Sequence, residues 1–488
     1  MIVRKNAISA SLIFISLVLI WWIAAQLPGA SLRTTSGTSS SSPSPEAVAQ
    51  EVEDSHASKK PLMETQPDAL TTTKEENKDK SVYTPNLPLR TYFDQAFSVD
   101  TPAEYDFPAL REVCESNSWP EDDVYLQCNN MHAGLTSIIS QVKVCLKMAV
   151  EAGTGLILPS MPIRDPTNLL EYNLLNPDKY LTYDEWFDAQ HVIDSFARAC
   201  PKMKIIHPSK LDTEVAVKNR WSIDMPPSYV AVKGFFWVGR PFKTHFDEQM
   251  AFLEQLSSLN PNRNDSAKGI TIVTMGAQFL LFRITDDPTH RELRLWNDIS
   301  SLIRFNEGPR KIVDKLLKQI NARPFYGVHF RVENDTIWSS LDDQLSRDLD
   351  ALDRAWVKYG SPDLNAKKPL VYLACGDSDQ VEKFVSAGNE RGWDVTHKWA
   401  LAEASGDKQV LNAINELAFD FQGAVDMGIM LKSDFFFGIT GSAFSSSVAN
   451  ARDPTGRYRG SSLLVANDEG ARNHLVNDGD ASDYPCCL

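Results

Sequence analysis

The sequence predicts an α/β protein with two halves, each built around a parallel sheet, behind an N-terminal transmembrane helix and a disordered stem. Short apolar runs alternate with amphipathic helical patterns from Tyr83 onward, which is typical of α/β folds. The roughly 400 residues of that part are too many for one sheet of this kind. An uncharged apolar segment near the N-terminus is about twenty residues long, the length of a membrane-spanning helix.

The apolar segment over residues 7–27 predicts an uncleaved signal anchor. A run of this length spans the ~30 Å hydrocarbon core as a helix. Arg4 and Lys5 precede it and Trp21 and Trp22 lie near its end, which favours an N-in orientation. A cleaved signal peptide is the alternative, because small residues follow the segment. In both cases we expect the rest of the chain to be luminal or extracellular.

Changes in composition divide the chain into five regions. Residues 28–82 are rich in Ser, Thr and Pro and contain no aromatic residue, so they cannot bury a core and are predicted to be a disordered stem. A short tail, an anchor, a stem and a large folded part are typical of sugar-modifying enzymes of the secretory pathway, although tethered receptors and proteases share this layout. The predicted regions are a cytosolic tail at 1–6, the anchor at 7–27, the stem at 28–82, an N-terminal α/β half at 83–310 and a C-terminal α/β half at 311–488.

The acidity of the chain lies in its folded part. The net charge is -15, and residues 1–82 contain eight basic and nine acidic side chains, which leaves -14 for the remainder. Binding to nucleic acid requires a clustered basic surface. We therefore expect no nucleic-acid partner.

Apolar runs predict buried strands, and helical patterns lie between them. Continuous apolar strands that alternate with helices indicate parallel sheets covered on both faces. The predicted strands are residues 155–159, 204–208, 269–273, 325–330, 369–374 and 433–438. The predicted helices include residues 135–151, 312–320, 380–387 and 409–430.

Seven cysteines occur in the chain. In an oxidising lumen, Cys114, Cys128, Cys145 and Cys200 are the expected disulfide partners, and their connectivity is open. No C-x-x-C spacing indicates zinc, and we expect no metal site.

The strand at 325–330 leads into three ionisable side chains, His329, Arg331 and Glu333. Side chains alternate along a strand, so these three are expected on one side of it. Ligands of open α/β sheets bind at the carboxyl ends of the strands, and arginine suits bidentate contact with phosphate. The alternative is an Arg–Glu ion pair that joins two elements.

Two further segments have the composition of ligand loops. The strand at 433–438 is followed by Gly, Ser and Phe residues that open a helix, and residues 128–137 form a polar, Gly-containing loop before another helix. Free N–H groups at a helix start bind phosphate, although Ser and Gly there are also ordinary capping residues. The motifs of common metalloproteases, P-loop proteins and α/β-hydrolases are absent from the sequence.

Together and in this order, the segments resemble the protein O-fucosyltransferase family and its plant and fungal relatives, over about residues 125–453. The similarity is strongest at Gly327-Val328-His329-Phe330-Arg331-Val332-Glu333 and from residues 433–438 through 442–445 to Arg452-Asp453. Residues 371–378 look like the strand and turn near the nucleoside. The resemblance implies two Rossmann-like halves in the GT-B arrangement, with the acceptor on the N-terminal half and the donor on the C-terminal half. It also implies GDP-fucose as the donor, inversion of the anomeric centre and no metal or other cofactor.

The resemblance also implies roles for single residues. Arg331 would bind the donor diphosphate and stabilise the charge on departing GDP, with His329 beside it. Asp434 would accept hydrogen bonds from guanine, and Asp377 would lie near the ribose or base. The other implied donor contacts are Ser442, Phe444, Ser445, Gly134 and Thr136.

The sequence departs from the family pattern at Thr136, where the family usually has Asn, and no Glu lies nearby. The group that activates the acceptor is therefore open. His132 or Glu333 would serve as the base, or the departure of GDP would lead with weak base assistance.

The expected protein is an inverting, metal-independent fucosyltransferase that acts on a protein or glycan hydroxyl. It would be a single-pass type II protein of the Golgi or endoplasmic reticulum membrane with a luminal catalytic domain. Two alternatives share the fold, an inactive luminal binding protein and an enzyme for another nucleotide sugar. Because the domain is acidic and the donor dianionic, the donor cleft is expected to be a local positive region made by Arg331, His329 and helix N-termini.

Overall fold

The structure is a computed structural model that describes eleven segments of the chain. The predicted tail, anchor and stem, residues 1–82, lie outside the described residues. Within the described segments, no helix combines the length and apolarity needed to cross a bilayer. The segments are residues 92–100, 105–120, 123–164, 180–224, 242–259, 268–277, 291–333, 339–361, 366–439, 441–452 and 472–476.

The first five-stranded sheet forms from the N-terminal part of the chain. Its strands pair in parallel in the order β5-β2-β1-β7-β6, and β3 pairs with β4 in a separate antiparallel ribbon. The strands are β1 (Val124–Asn129), β2 (Gly155–Ile157), β3 (Met161–Pro162), β4 (Tyr180–Leu181), β5 (Ile205–Ile206), β6 (Val217–Ile223) and β7 (Ile270–Gly276).

The second five-stranded sheet forms from the C-terminal part and is also parallel. Its order is β10-β9-β8-β11-β12. The chain places β9 and β10 on one side of β8, and β11 and β12 on the other. Such doubly wound sheets bind ligands where the order reverses, which here is between β8 and β11. The strands are β8 (Phe325–His329), β9 (Leu370–Ala374), β10 (Asp394–Thr396), β11 (Phe435–Ile439) and β12 (Arg472–Val476).

Helices connect and cover the strands. In chain order they are α1 (Tyr92–Ala96), α2 (Pro108–Ser116), α3 (Leu135–Ala152), α4 (Tyr183–Trp186), α5 (Ala189–Ala199), α6 (Phe242–Ser258), α7 (Arg291–Ser300), α8 (Glu307–Ile320), α9 (Leu341–Tyr359), α10 (Ser378–Glu390), α11 (Lys398–Ala404), α12 (Lys408–Glu416), α13 (Phe419–Met430) and α14 (Ala443–Arg452). A short 3-10 helix lies at Pro208–Lys210.

Helix α3 is central to the fold, because every one of its residues is buried. It contacts α2, α7 and β1 from the N-terminal part of the chain and α13 and α14 from the C-terminal part. Its buried Lys147 is paired, with Nζ 2.6 Å from Glu151 and 3.0 Å from Glu292, as a buried charge requires. The main hydrophobic core runs through this helix and includes side chains from the regions of both sheets.

All six predicted strands are present, as β2, β5, β7, β8, β9 and β11. Strands β1, β3, β4, β6, β10 and β12 were not predicted. The predicted helices at 135–151, 312–320 and 380–387 are confirmed, with longer bounds. The predicted boundary between residues 310 and 311 falls inside α8, which packs on α11, α12 and α13, and the division of the chain at that point stays a prediction.

The single helix predicted over residues 409–430 is wrong. The chain breaks it at Leu417, whose ψ of 137° is extended, and α12 and α13 result. Tertiary contacts explain the break, because the first turn of α13 contacts the N-terminal part of the chain. The ring of Phe421 lies 4.8 Å from that of Trp186, and Asp420 pairs with Arg164.

The four cysteines of the N-terminal half form two disulfides, as expected. Cys114 pairs with Cys200, and Cys128 pairs with Cys145. The second bond joins the end of β1 to α3. Cys375 is a buried free thiol, and residues 486–487 lie outside the described residues.

Candidate functional site

A cleft of about 190 Å³ lies at the carboxyl ends of strands from both sheets. Its walls come from residues 133–137 after β1, residues 374–376 after β9, residues 442–444 after β11 and the first turns of α13. The charged residues that follow β8 complete it. The cleft therefore includes the point between β8 and β11 at which doubly wound sheets bind ligands.

The end of β8 brings its three ionisable side chains to the cleft. His329, Arg331 and Glu333 all line it, whereas Val328 and Phe330 are buried in the core on the other face of the sheet. This is the alternation that the sequence predicts.

Arg331 is held through both its side chain and its backbone. Its Nη1 donates to the carbonyl oxygen of Glu333 at 2.9 Å and lies 3.9 Å from the Glu333 carboxylate. The buried side chain of Gln344 accepts from the Arg331 N–H and donates to the Arg331 carbonyl, each at 2.8 Å. The side chains of Arg331 and Glu333 keep 14% and 19% of their surface exposed. The two residues thus form the Arg–Glu pair that was the alternative interpretation, but the pair faces the cleft and both side chains can still contact a ligand there.

His329 lies behind Arg331 as a neutral ring. Burial, with a smaller effect of the Arg331 charge, lowers the pKa of His329 to about 3. Its Nδ1 lies 2.7 Å from Oγ of Ser445, and its ring centroid lies 4.6 Å from that of Phe444. At neutral pH His329 is therefore a hydrogen-bonding group without charge.

The N-terminus of α14 opens onto the cleft. Ser442 and Phe444 line it together with Ala443, and Oγ of Ser442 accepts from the Ser445 N–H at 3.4 Å as an N-cap. The first N–H groups of a helix have no intrahelical acceptor and attract anions.

Ser445 does not reach the cleft, which corrects the expectation that it contacts the donor phosphates. Its side chain is fully buried, and its Oγ accepts from the Ile439 N–H at 3.0 Å. Gly438 is required beneath it, because a Cβ there would lie 2.5 Å from that oxygen. Ser445 belongs to the support of His329.

The N-terminus of α3 approaches the same cleft from the other sheet. Gly134 and Thr136 line the cleft, and Gly134 is the N-cap residue of α3. A Cβ at Gly134 would lie 2.5 Å from Nη2 of Arg164, so only glycine allows this guanidinium to lie across the start of the helix.

An ion pair that the sequence did not reveal crosses the cleft. Arg164 donates through Nη2 to Oδ1 of Asp420 at 2.8 Å and through Nε to both carboxylate oxygens at 3.2 and 3.3 Å. The same Oδ1 accepts from the Leu135 N–H at 2.9 Å. Asp420 thus joins α13 to both Arg164 and the start of α3.

A second buried charge pair lies in the floor of the cleft. Lys398 donates to Asp426 at 2.8 Å, and the Tyr372 hydroxyl donates to the other carboxylate oxygen at 2.6 Å. Burial, with Asp426 nearby, raises the pKa of Tyr372 well above its usual range. No sequence motif marked these residues.

Besides Ser445, the structure places three predicted site residues away from the cleft lining, namely Asp434, Asp377 and His132. Asp434 precedes β11 at the amino edge of the sheet, where its carboxylate accepts from the Phe325 N–H at 2.8 Å. The cleft lies at the carboxyl edge of this sheet, at the opposite end of β11. The prediction that Asp434 contacts guanine is therefore wrong. Asp377 is exposed beside the lining residue Gly376 and caps α10 by accepting from the Gln380 N–H.

His132 lies in the loop before α3, next to the lining residues but not among them. Its ring Nδ1 lies 3.0 Å from the Asn130 carbonyl oxygen, and its backbone is bonded twice to the side chain of Gln141. Of the two predicted bases, Glu333 faces the cleft and His132 does not.

Charges of the cleft are balanced rather than acidic. Three cations, Arg164, Arg331 and Lys398, face three carboxylates, Glu333, Asp420 and Asp426. The charged side chains therefore sum to zero, and His329 does not add the positive charge expected of it. The positive contribution comes from the helix N-termini. Among the described residues, no group of three or more His, Cys, Asp or Glu is placed to hold a metal ion.

The chain is similar to solved fucosyltransferase structures. POFUT1 in complex with GDP-fucose shares 13% identity, with a TM-score of 0.39 and coverage of 74% of this chain and 99% of that chain. NodZ alpha-1,6-fucosyltransferase soaked with GDP-fucose shares 14% identity, with a TM-score of 0.36 and coverage of 68% and 92%. NodZ from Bradyrhizobium shares 15% identity, with a TM-score of 0.35 and coverage of 68% and 93%. A comparison with curated proteins gives no match.

The sequence model of the family described as GDP-fucose protein O-fucosyltransferase matches residues 125–455. These residues form more than half of the chain. They include every residue of the cleft and the strands of both sheets, except for Val124 of β1 and the whole of β12. The chain therefore belongs to the GDP-fucose protein O-fucosyltransferase family of glycosyltransferases.

Proposed function

We propose that the protein transfers fucose from GDP-fucose to a protein or glycan hydroxyl, with inversion of the anomeric carbon and without a metal ion. The observation that carries the proposal is Arg331 in the family-matched cleft, beside the N-terminus of α14. Two parallel sheets that contribute to one cleft support the GT-B arrangement.

The donor diphosphate would lie between Arg331 and the first turn of α14. A guanidinium offers two parallel donors to phosphate oxygens, and the N–H groups of Ala443 and Phe444 lie in the first turn of that helix. These groups would stabilise the charge that develops on the departing diphosphate, as preorganised donors do in acyl and phosphoryl transfer.

In the transfer step the acceptor oxygen forms a bond to the anomeric carbon of fucose while the bond from that carbon to the β-phosphate oxygen breaks. The bonding electron pair leaves with GDP, and the acceptor proton passes to a base. Glu333 is the carboxylate beside Arg331 in the cleft, and we assign it the role of base. Attack from the face opposite the leaving group inverts the carbon.

The proposal also places the folded part in the lumen of the Golgi or endoplasmic reticulum, behind the anchor predicted at 7–27. The two disulfides support an oxidising compartment, since disulfides persist there and are rare in the cytosol.

A nucleotide-sugar panel on the full chain tests the donor. Thermal unfolding with GDP-fucose, GDP-mannose and UDP-rhamnose is measured, because a ligand at 100 times its dissociation constant adds about 2.7 kcal/mol to the free energy of unfolding. We expect stabilisation by GDP-fucose. A preference for UDP-rhamnose would instead support an enzyme for another nucleotide sugar.

Variants of two arginines test the site. Arg331→Ala should weaken GDP binding about 10- to 100-fold, the loss expected for a charge-assisted contact to phosphate. Arg347→Ala is the matched control, because Arg347 is half exposed on α9 and pairs with Asp343. Equal GDP affinity in wild type and Arg331→Ala would contradict the proposed donor site.

A further inference from the structure

The hydroxyl of Ser445 lies between a backbone donor and the His329 ring. Ser445 is completely buried on α14. Its Oγ lies 3.0 Å from the Ile439 nitrogen and 2.7 Å from Nδ1 of His329. These are the hydrogen-bond partners of that oxygen among the described residues.

The first contact fixes the direction of the second. The Ile439 N–H can only donate, so the serine oxygen accepts there. The serine proton must also find an acceptor, because buried polar groups are almost always satisfied. Nδ1 of His329 is the acceptor within reach, and it must then be unprotonated. A neutral imidazole with a bare Nδ1 has its proton on Nε2.

The rest of the pocket keeps the ring in this state. Burial beside the Arg331 guanidinium disfavours the charged imidazolium, and the Phe444 ring packs against the imidazole. Nε2 lies on the edge of the ring away from Ser445, and His329 lines the cleft. With Nδ1 bonded to Ser445, Nε2 is the ring nitrogen left to bond a ligand in the cleft, and its N–H carries no charge.

We propose that Ser445 is a positioning residue that fixes His329 as the Nε2–H tautomer, so that this N–H donates to a phosphate oxygen of the nucleoside diphosphate beside Arg331. The phosphate part of the inference rests on the proposed function, whereas the tautomer part does not. A neutral donor adds a hydrogen bond to the diphosphate without a second positive charge next to Arg331.

The tautomer is measured directly by NMR of the full chain labelled with ¹⁵N-histidine, without ligand. The nine histidines are resolved by comparison with His329→Gln, which identifies the His329 signals. We expect ¹⁵N shifts of a neutral ring protonated at Nε2, unchanged between pH 6 and 8. A ring protonated at Nδ1, or a charged ring at pH 7, would overturn the proposal whether or not the protein binds GDP.

Ser445→Ala should lose the fixed tautomer and bind GDP about tenfold more weakly, the effect of one hydrogen bond in a closed site. Ser446→Ala is the matched control, since Ser446 is the next residue on α14 and is equally buried. Ser445→Thr keeps the hydroxyl and should restore the wild-type ring spectrum. Wild-type shifts in Ser445→Ala, or equal changes in the Ser446→Ala spectrum, would refute the role of Ser445.

The tautomer of His329 and its contact to phosphate can each be refuted without the other. If wild type shows the Nε2–H ring but does not bind GDP, the proposed function is wrong and Ser445 still sets the tautomer. If GDP binds equally to wild type and Ser445→Ala while the tautomer changes, the His329 contact to phosphate is refuted.

Discussion

Two sets of hydrogen bonds position Arg331: one is made by its own side chain, and the other joins its backbone to Gln344. Gln344 bonds both polar groups of the Arg331 peptide and is 1% exposed. Because β8 ends at His329, Arg331 lies past the sheet ladder, and Gln344 supplies the hydrogen bonds that a neighbouring strand would otherwise give.

Gln344→Met should therefore weaken donor binding, although Gln344 does not line the cleft. The substitution keeps the side-chain length but leaves the Arg331 N–H and carbonyl unsatisfied, which costs about 1–3 kcal/mol in a buried site. We expect a lower free energy of unfolding by that amount and a higher dissociation constant for GDP, measured by urea denaturation and calorimetry. Gln190→Met, at an exposed position on α5, is the control and should change neither quantity.

Cys375 should be chemically inert although it lines the cleft. Burial raises the pKa of its thiol to about 12, so the reactive thiolate is nearly absent at neutral pH. We expect alkylation of Cys375 by iodoacetamide at pH 7.5 to be slow in the folded protein and fast in urea, followed by mass spectrometry of its peptide. Rapid labelling of the folded protein would show that the thiol is accessible and ionised.

The sequence identifies the site residues whose position follows from local geometry. His329, Arg331 and Glu333 follow from strand alternation next to an apolar run, and all three line the cleft. Arg164 and Asp420 are 256 residues apart, and neither stands in a recognisable motif, so no spacing rule links them. The guanine contact of Asp434 was implied only by the family resemblance, and strand β11 places this carboxylate at the amino edge of its sheet, where it accepts from the Phe325 N–H.

At the scale of elements, hydrophobic runs predict the strands that are buried on both faces. Strands β8, β9 and β11 are entirely buried and were found. Strand β6 alternates between exposed and half-buried positions because it lies at the edge of its sheet, and it was missed. The division into α12 and α13 depends on contacts between residues that are far apart in the chain. Local helix propensity takes no account of such contacts.

Helix α9 includes a buried carboxyl that should make stability depend on pH. Asp348 is 0% exposed, and neither of its oxygens has a hydrogen-bond partner among the described residues. Burial raises the pKa of Asp348 well above its usual range. The folded state thus binds this proton more tightly than the unfolded state, so the stabilising effect is complete below the unfolded pKa and is lost as the pH rises toward the folded pKa.

Asp348→Asn removes this titration. Relative to wild type, the variant should gain about 1.4 kcal/mol in free energy of unfolding for each pH unit above the unfolded pKa, up to the folded pKa. Urea denaturation between pH 4 and 7.5 measures the difference. Asp350→Asn, a half-exposed position on the same helix, is the control. A constant difference between Asp348→Asn and wild type over this range would contradict the expectation.

At the scale of the whole molecule, the Arg164–Asp420 pair joins the parts of the chain that form the two sheets. Asp420 lies at the start of α13, and its partners belong to the N-terminal part of the chain. Both side chains are largely buried, at 12% and 1% exposure. Removal of one partner from a buried pair costs far more than removal of both.

Asp420→Leu should destabilise the protein by about 3–5 kcal/mol, because Arg164 and the Leu135 N–H lose their acceptor. The double variant Arg164→Met/Asp420→Leu should recover part of that loss, because it leaves no buried charge without its partner. Unfolding free energies of wild type, both single variants and the double variant form a double-mutant cycle. A coupling energy near zero would mean that the pair does not hold the cleft together.

The Cys128–Cys145 disulfide joins the end of β1 to α3, on either side of the loop that contains His132 and Gly134. A preparation made in a reducing cytosol would lack this covalent connection beside the cleft while keeping the apolar residues of the core. Yield of soluble protein would then be a poor guide to the fraction able to bind donor. Production in an oxidising host compartment is the condition under which binding measurements report on the native cleft.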